Sequence, residues 1–336
     1  MAGIIRRFLT NAILCVFATD TRTRRAYAEF IRNLKVNKTS QEDFDFDGVQ
    51  IESKFLNHVT KLKEGANALY IANLLSTPNQ WAVPASDIPG FNKFGMNVEG
   101  SYIVRMPGGW TIFTSKGELR NVARVLCGVK PDLVYSPFAL LYEKIRTSFL
   151  AGKLTLYVYN FESYCILMIF KDLEMKYGVF ASTDAQVNAL DLDSAYKLDT
   201  VDISDIDNFI LKEEEFKFEN FQELSAEGTQ NEFEDLEEIA ETDVKNEKKD
   251  VEWSVTQAGK FDILRKDVRN AIKDYYSNPL FENIDFIDEV RIFDASGYVD
   301  EQFCKDLSDE LLVEVKFTPT DLRSDMCKIV RRELEL

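Results

Sequence analysis

The apolar positions change period several times along the chain, and each change marks an element. Ile4, Ile5, Phe8, Leu9, Ala12, Ile13, Val16 and Phe17 recur at helical spacing, with Arg6, Arg7, Thr10 and Asn11 mostly on the other side; this predicts an amphipathic helix at the start. Between Ala68 and Val83, two apolar bursts flank Ser76-Thr77-Pro78-Asn79, turn chemistry that predicts a hairpin. Tyr102-Ile103-Val104 and Trp110-Thr111-Ile112-Phe113 flank Pro107-Gly108-Gly109 as a second strand pair.

Ser115 followed by Glu118 has capping-box spacing, and Leu119, Val122, Ala123 and Leu126 then form one helical stripe closed by Gly128. Asp132 to Tyr135 reads as a short strand, and Pro137 as the first position of a helix to Phe149. Leu154–Tyr159, Tyr164–Phe170 and Tyr177–Phe180 form a three-strand meander, and Cys165–Phe170, apolar throughout, predicts a strand covered on both faces. Further on, Phe261, Leu264, Val268, Ile272 and Tyr275 mark a helix, followed by a strand at Phe286–Phe293. A helix through Val299, Phe303, Leu307 and Leu311, a strand at Leu312–Phe317 and a helix opened by Pro319 complete the pattern.

Composition narrows the chemistry. The 336 residues carry 57 acidic against 40 basic side chains, a net charge of -17 that argues against a general nucleic-acid or lipid-surface binder. A 45% apolar content supports a sizeable core. The single histidine, His58, removes chemistry that needs two imidazoles. It lies in a mixed polar segment without a nucleophile motif. Five cysteines without CxxC pairing suggest neither a disulfide framework nor a zinc ribbon, and Cys127 and Cys165 read as small core residues. The Ala12–Ala18 apolar run is too short to span a bilayer and no cleavage site follows it, so a reducing cytoplasm is expected and the Asn37-Lys38-Thr39 sequon reads as chance.

Charge is unevenly placed. Residues 1–38 hold Arg6, Arg7, Arg22, Arg24, Arg25, Arg32, Lys35 and Lys38 against Asp20 and Glu29. A basic amphipathic helix there would either pack on the body of the fold or rest on a partner or an anionic membrane surface. From Lys212 to Asp250, 15 acidic residues face five basic ones around isolated phenylalanines, which predicts a flexible linker or excursion. The pairs Asp191/Asp193 and Asp202/Asp205/Asp207 read as solvated acidic faces, and no metal site is expected.

The order of these elements resembles the actin-like, ribonuclease-H-like ATPase superfamily. It is most similar to the actin-like assembly proteins of type IV pili (the PilM type) and to the cytoplasmic part of the type II secretion L protein. Trp110–Lys116, Glu118–Cys127, Lys130–Ser136, Phe138-Ala139-Leu140-Leu141 and Leu154–Phe180 follow the family order, as do Ile263–Tyr276, Val290–Phe293, Asp294–Gly297 and Val299–Leu312. The resemblance implies a two-lobed α/β fold. It divides into a basic N-terminal extension (1–48), a first lobe with a partner-binding subdomain (49–152), the start of a second lobe (153–200), an acidic flexible insertion (201–252) and the remainder with a C-terminal helix (253–336).

Departures from the family pattern fall where nucleotide would bind. The family's Asp-x-Gly phosphate turn is replaced by Asn160-Phe161-Glu162-Ser163, which lacks the permissive glycine and adds a carboxylate. The later paired glycines become Asp294-Ala295-Ser296-Gly297. Neither a GxxxxGKS/T loop nor a GxGxxG fingerprint occurs. The expectation is therefore a non-catalytic scaffold without cofactor, peripheral to the inner membrane. It would bind the cytosolic tail of a single-span (PilN-like) membrane protein, with an assembly ATPase or ring component as a further partner. Trp81, Tyr102, Trp110 and Phe113 are the candidate partner residues, with core as their alternative fate. A divergent actin-like ATPase or sugar-kinase-like enzyme is the competing reading.

Overall fold

The computed structural model describes residues 9–182, 259–281 and 285–336. The first half runs β1 (Asn11–Ala18), β2 (Thr23–Arg32), β3 (Lys35–Asp45), α1 (Lys54–Glu64), β4 (Ala68–Leu74), β5 (Gln80–Val83), α2 (Ile88–Lys93), β6 (Ser101–Met106), β7 (Trp110–Ser115), α3 (Lys116–Val125), β8 (Leu133–Tyr135) and α4 (Pro137–Ser148). The second runs β9 (Leu154–Asn160), β10 (Tyr164–Lys171), β11 (Glu174–Ser182), α5 (residues 259–277), β12 (Glu289–Asp294), α6 (Glu301–Leu311), β13 (Glu314–Pro319) and α7 (Leu322–Leu334).

Two five-stranded sheets repeat one plan, β3-β2-β1-β4-β8 and β11-β10-β9-β12-β13. In each, three antiparallel strands are followed by two that join the first in parallel. The repetition extends to detail. Asn33-Leu34 and Asp172-Leu173 both turn their hairpins with positive φ at the two central residues, the twist-matched two-residue turn. Each turn is followed by one bulge at the same place, where Ile31–Val36 gives way to Phe30–Lys38 and Phe170–Met175 to Ile169–Tyr177. This duplicated β-β-β-α-β-α-β-α unit is the actin-like, ribonuclease-H-like two-lobed fold. β5, α2, β6 and β7 form a three-stranded subdomain, order β5-β7-β6, inserted between β4 and α3.

Strand alternation divides the core. On β1, Ala12, Leu14 and Val16 pack with Phe55, Val59 and Leu62 of α1 and Val122 of α3. Ile13, Cys15 and Phe17 face the opposite way, toward Phe138, Leu141 and Ile145 of α4 and Met326, Cys327 and Val330 of α7. The second sheet mirrors this. Tyr157, Tyr159, Ile166, Met168 and Phe170 join the α4/α7 cluster, whereas Leu156, Val158, Cys165 and Leu167 pack on α5 and α6. The layers are thus helix, sheet, helix, sheet, helix, with α4 and α7 filling the centre.

Four sequence expectations are corrected. Residues 11–18 are the central strand of the first sheet, not part of an amphipathic helix, so the first lobe begins at about Asn11 and residues 11–45 are no extension. All eight residues of β1 are buried, and a run covered on both faces has no period-2 signature to set against helical spacing. β4 and β5 do not pair with each other: β4 lies between β1 and β8, and β5 pairs with β7. Pro319 is the last residue of β13, opposite Asp294, and Asp321 caps α7 instead. The Ser115 hydroxyl caps α3 from Gly117 N, but Glu118 accepts from Asn79 Nδ2 at 2.6 Å rather than closing a capping box. The meander, the β6–β7 pair and the fully covered β10 are as the pattern predicts. The acidic insertion at 201–252, the groups Asp191/Asp193 and Asp202/Asp205/Asp207, and residues 1–8 lie outside the described residues.

Candidate functional site

β9 and β12 run parallel as neighbours, with Asn160 opposite Asp294, so the two altered turns meet at the ends of adjacent strands. Their side chains form one closed network. Buried Asn160 donates from Nδ2 to Asp294 Oδ1 and to Ser296 Oγ, both at 2.9 Å, and its Oδ1 accepts from Tyr298 OH at 3.1 Å. Burial raises the Tyr298 hydroxyl pKa, with the Asn160 hydrogen bond acting against it.

The carboxylate of Asp294 takes up the backbone donors of its own loop. Oδ1 accepts from Ser296 N at 3.2 Å and Ser296 Oγ at 2.5 Å, and Oδ2 from Gly297 N at 3.0 Å and Val299 N at 3.3 Å. Ala295 N is bonded to Asn160 O at 2.9 Å. Gly297, at φ +81°, supplies the left-handed residue that lets the loop wrap its own aspartate. The loop is an anion nest filled by its own side chain.

The other turn is closed by aromatic packing. Phe161 is buried and lies 4.4 Å from the Tyr159 ring and 4.3 Å from Tyr164, which stacks on Phe180 at 4.9 Å. These rings belong to the same central core as Phe17 of β1. Glu162 pairs with Lys260 at the start of α5, which neutralises the added carboxylate.

The duplication identifies a third element that the sequence reading missed. The β1–β2 turn, residues 19–22, is the first-half counterpart of the Phe161–Ser163 turn. It has no glycine, and Arg22 N is taken by Asp20 Oδ1 at 2.7 Å. Arg24 beyond it donates to Asp20 O at 2.9 Å and lies 3.9 Å over the Phe46 ring. Burial lowers its pKa, opposed by Tyr164 and Asp20. The signal was available only to someone who had seen β1 as a strand.

The four aromatic partner candidates separate. Trp110 and Phe113 are fully buried and leave no surface for a partner. Trp110 packs edge-on against Tyr142 and Phe170, joining the subdomain to α4 and the second sheet. Phe113 packs edge-on against Phe91 of α2. Trp81 and Tyr102 are 43% and 54% exposed, but the register puts them on opposite faces: Trp81 pairs with Phe113, and Tyr102 with Thr114. Val104, paired with Ile112, shares the Tyr102 face and is 55% exposed.

Other titratable groups are structural. His58 is buried on α1, its Nδ1 2.6 Å from Glu42 Oε2. Cys165 is in the core, as expected, and its thiol lies 3.8 Å from Asp267 Oδ2 on α5. Burial raises Asp267 to about 6, with the Cys165 hydrogen bond acting against it. Cys127 is only partly buried, and its thiol donates to Ile51 O at 2.8 Å. Among the described residues, no group of three or more His, Cys, Asp or Glu is arranged to hold a metal ion.

Solved structures similar to this chain include a Bacteroides thetaiotaomicron protein of actin-like ATPase fold and unknown function, at 8% identity over 97% of this chain and 98% of that one, TM-score 0.47. The PilM–PilN type IV pilus biogenesis complex is similar at 10% identity over 91% and 88%, TM-score 0.49. The cytoplasmic domain of EpsL, an inner-membrane component of the Vibrio cholerae type II secretion system, is similar at 8% identity over 96% and 95%, TM-score 0.40. These are likenesses of outline, and the fold stands on the repeated strand order. No curated protein matches the chain. Residues 9–142, the first repeat, match the family described as domain of unknown function DUF8569. Residues 156–335, the second repeat and more than half of the chain, match the family described as domain of unknown function DUF8341, and the chain belongs to that family.

Proposed function

We propose that this protein is a non-catalytic actin-like scaffold of an envelope-spanning machine of the pilus or secretion kind. The observation that carries this reading is the Asp294 carboxylate seated on the amides of its own loop and held there by Asn160. A triphosphate would have to displace a buried anion from those donors and enter against Phe161, Tyr159 and Tyr164. A buried carboxylate stripped of its hydrogen bonds bears its full desolvation penalty, so an incoming anion has to compete for donors that are already filled.

A scaffold needs a grip instead of a catalytic cleft. The edge strand β6, with exposed Tyr102 and Val104 on one face, suits an extended segment that adds a strand and seats alternate side chains. The sequence resemblance supplies the kind of partner: the cytosolic tail of a single-span inner-membrane protein. A photo-crosslinker placed at Tyr102 tests this in cells. Capture of a single-span membrane protein through its tail, lost on Val104→Asp but retained on Trp81→Ala, is the expected result. Capture that is indifferent to Val104→Asp, or capture of soluble proteins alone, contradicts it.

A further inference from the structure

We propose that β3 is a self-pairing edge: two copies of this chain join antiparallel along β3 about a twofold axis at Ser40, making one sheet continuous across both. Among the described residues β3 ends the first sheet, with β2 as its one neighbouring strand. Every residue from Lys35 to Asp43 is exposed except half-buried Ser40. Natural edges are blunted by charged side chains of one sign, proline, a covering element or a bulge, whereas β3 carries charges of both signs that can answer each other across a twofold axis. Here the bulge at Asn37 protects only the turn end, and the stretch from Lys38 to Asp43 is bare.

Backbone direction and charge select one register. Phe46 N donates toward β2, to Arg22 O, whereas Asp45 O faces away and accepts from Glu52 N. Antiparallel strands alternate in this respect, so Thr39, Gln41 and Asp43 present their amides and carbonyls to the open edge. With Ser40 on the axis, Thr39 exchanges hydrogen bonds with Gln41 of the second copy, and Lys38 lies opposite Glu42 on both sides. Moving the axis to Gln41 leaves no ion pair within β3, moving it to Thr39 replaces the Lys38–Glu42 pairs by Lys35–Asp43 pairs that must span the bulge at Asn37, and parallel pairing sets Lys38 against Lys38. The segregation of basic Lys35 and Lys38 before acidic Glu42 and Asp43 is therefore self-complementary in antiparallel pairing and self-repelling in parallel pairing. Glu42 keeps its side chain half exposed while it holds His58, and Lys38 lies over the Phe30 ring, so both stand on the same face of the sheet beside the open edge.

The test uses the full chain in sedimentation velocity across about a hundredfold range of concentration. Concentration-dependent dimerisation is expected. Lys38→Glu and Glu42→Lys each set like charges opposite one another and should weaken it at least about tenfold, while an equimolar mixture of the two variants restores it because every pair is then complementary. Ser40→Cys should form an intermolecular disulfide under mild oxidation, since directly opposed residues approach to about 4.5 Å between Cα atoms. Lys35→Cys should not, because its own copy lies about 33 Å away along the pair. Circular dichroism confirms that each variant is folded. A monomer at all concentrations, a mixture no tighter than either variant alone, or equal crosslinking of both cysteine variants would overturn the proposal.

Discussion

β3 and β11 are the same strand built twice and finished in opposite ways. Each leaves a two-residue left-handed turn, carries one bulge at the same place and ends its sheet. β11 reads Glu-Met-Lys-Tyr-Gly-Val-Phe-Ala-Ser, and its Gly178 lies against β5, where a Cβ would come within 3.0 Å of the Ala82 Cβ. β3 reads Lys-Val-Asn-Lys-Thr-Ser-Gln-Glu-Asp-Phe-Asp and, among the described residues, meets no strand beyond β2. Position for position after the bulge, Thr39 corresponds to Gly178. One backbone plan thus serves as a seam against the inserted subdomain in the second half and, among the described residues, as an open edge in the first.

The largest effect is expected where the second half fills the centre. Phe161→Ala empties the site between Tyr159 and Tyr164 and should cost about 3–5 kcal/mol in urea unfolding. Gly178→Val is next, at about 1–3 kcal/mol, because the new methyls meet Met175 and Ala82. Thr39→Val at the matching place on β3 should stay within about 0.5 kcal/mol. Equal costs at these two positions would break the comparison. Gly108→Ala belongs to the same class as Gly178→Val, since φ is +93° and a Cβ would lie 2.6 Å from Leu173 O at the equivalent turn of the second half.

A pH effect is expected from the buried carboxylate of the second half. Asp267 is held near 6 against an ordinary 3.8, so its contribution to stability is fully present below about 4 and is lost as pH rises through about 6. The difference corresponds to roughly 3 kcal/mol before solvent relaxation. Asp267→Asn should flatten that slope in unfolding measured between pH 4 and 7. An unchanged slope would place the titration elsewhere. The smallest effect is expected from deleting Glu213 to Asp250, whose repelling carboxylates cannot easily pack together: the melting temperature should hold, and cooperative loss of structure would contradict the reading.

The second half was the more legible in sequence, and the reason is physical. Its strands are separated by polar breaks at Asn160-Phe161-Glu162 and Lys171-Asp172, and its helices carry single stripes. β1 instead buries both faces beside arginines of the next turn and strand, so an all-apolar run with flanking charge imitated one face of a helix. That single misreading hid the internal repeat and with it the Thr19–Arg22 turn. The Asn160 and Asp294 turns were found because glycine loss is visible in one dimension. That Asp294 serves its own loop, and that Trp81 and Tyr102 lie on opposite faces, depends on pairing register, which spacing does not encode.

The central claim is that the former nucleotide cleft is occupied by the protein's own groups. Calorimetric titration of the full chain with ATP and magnesium tests it most directly. No saturable heat up to millimolar nucleotide is predicted, with no phosphate release over hours. Micromolar binding that is abolished by Asp294→Lys, with turnover, would contradict it.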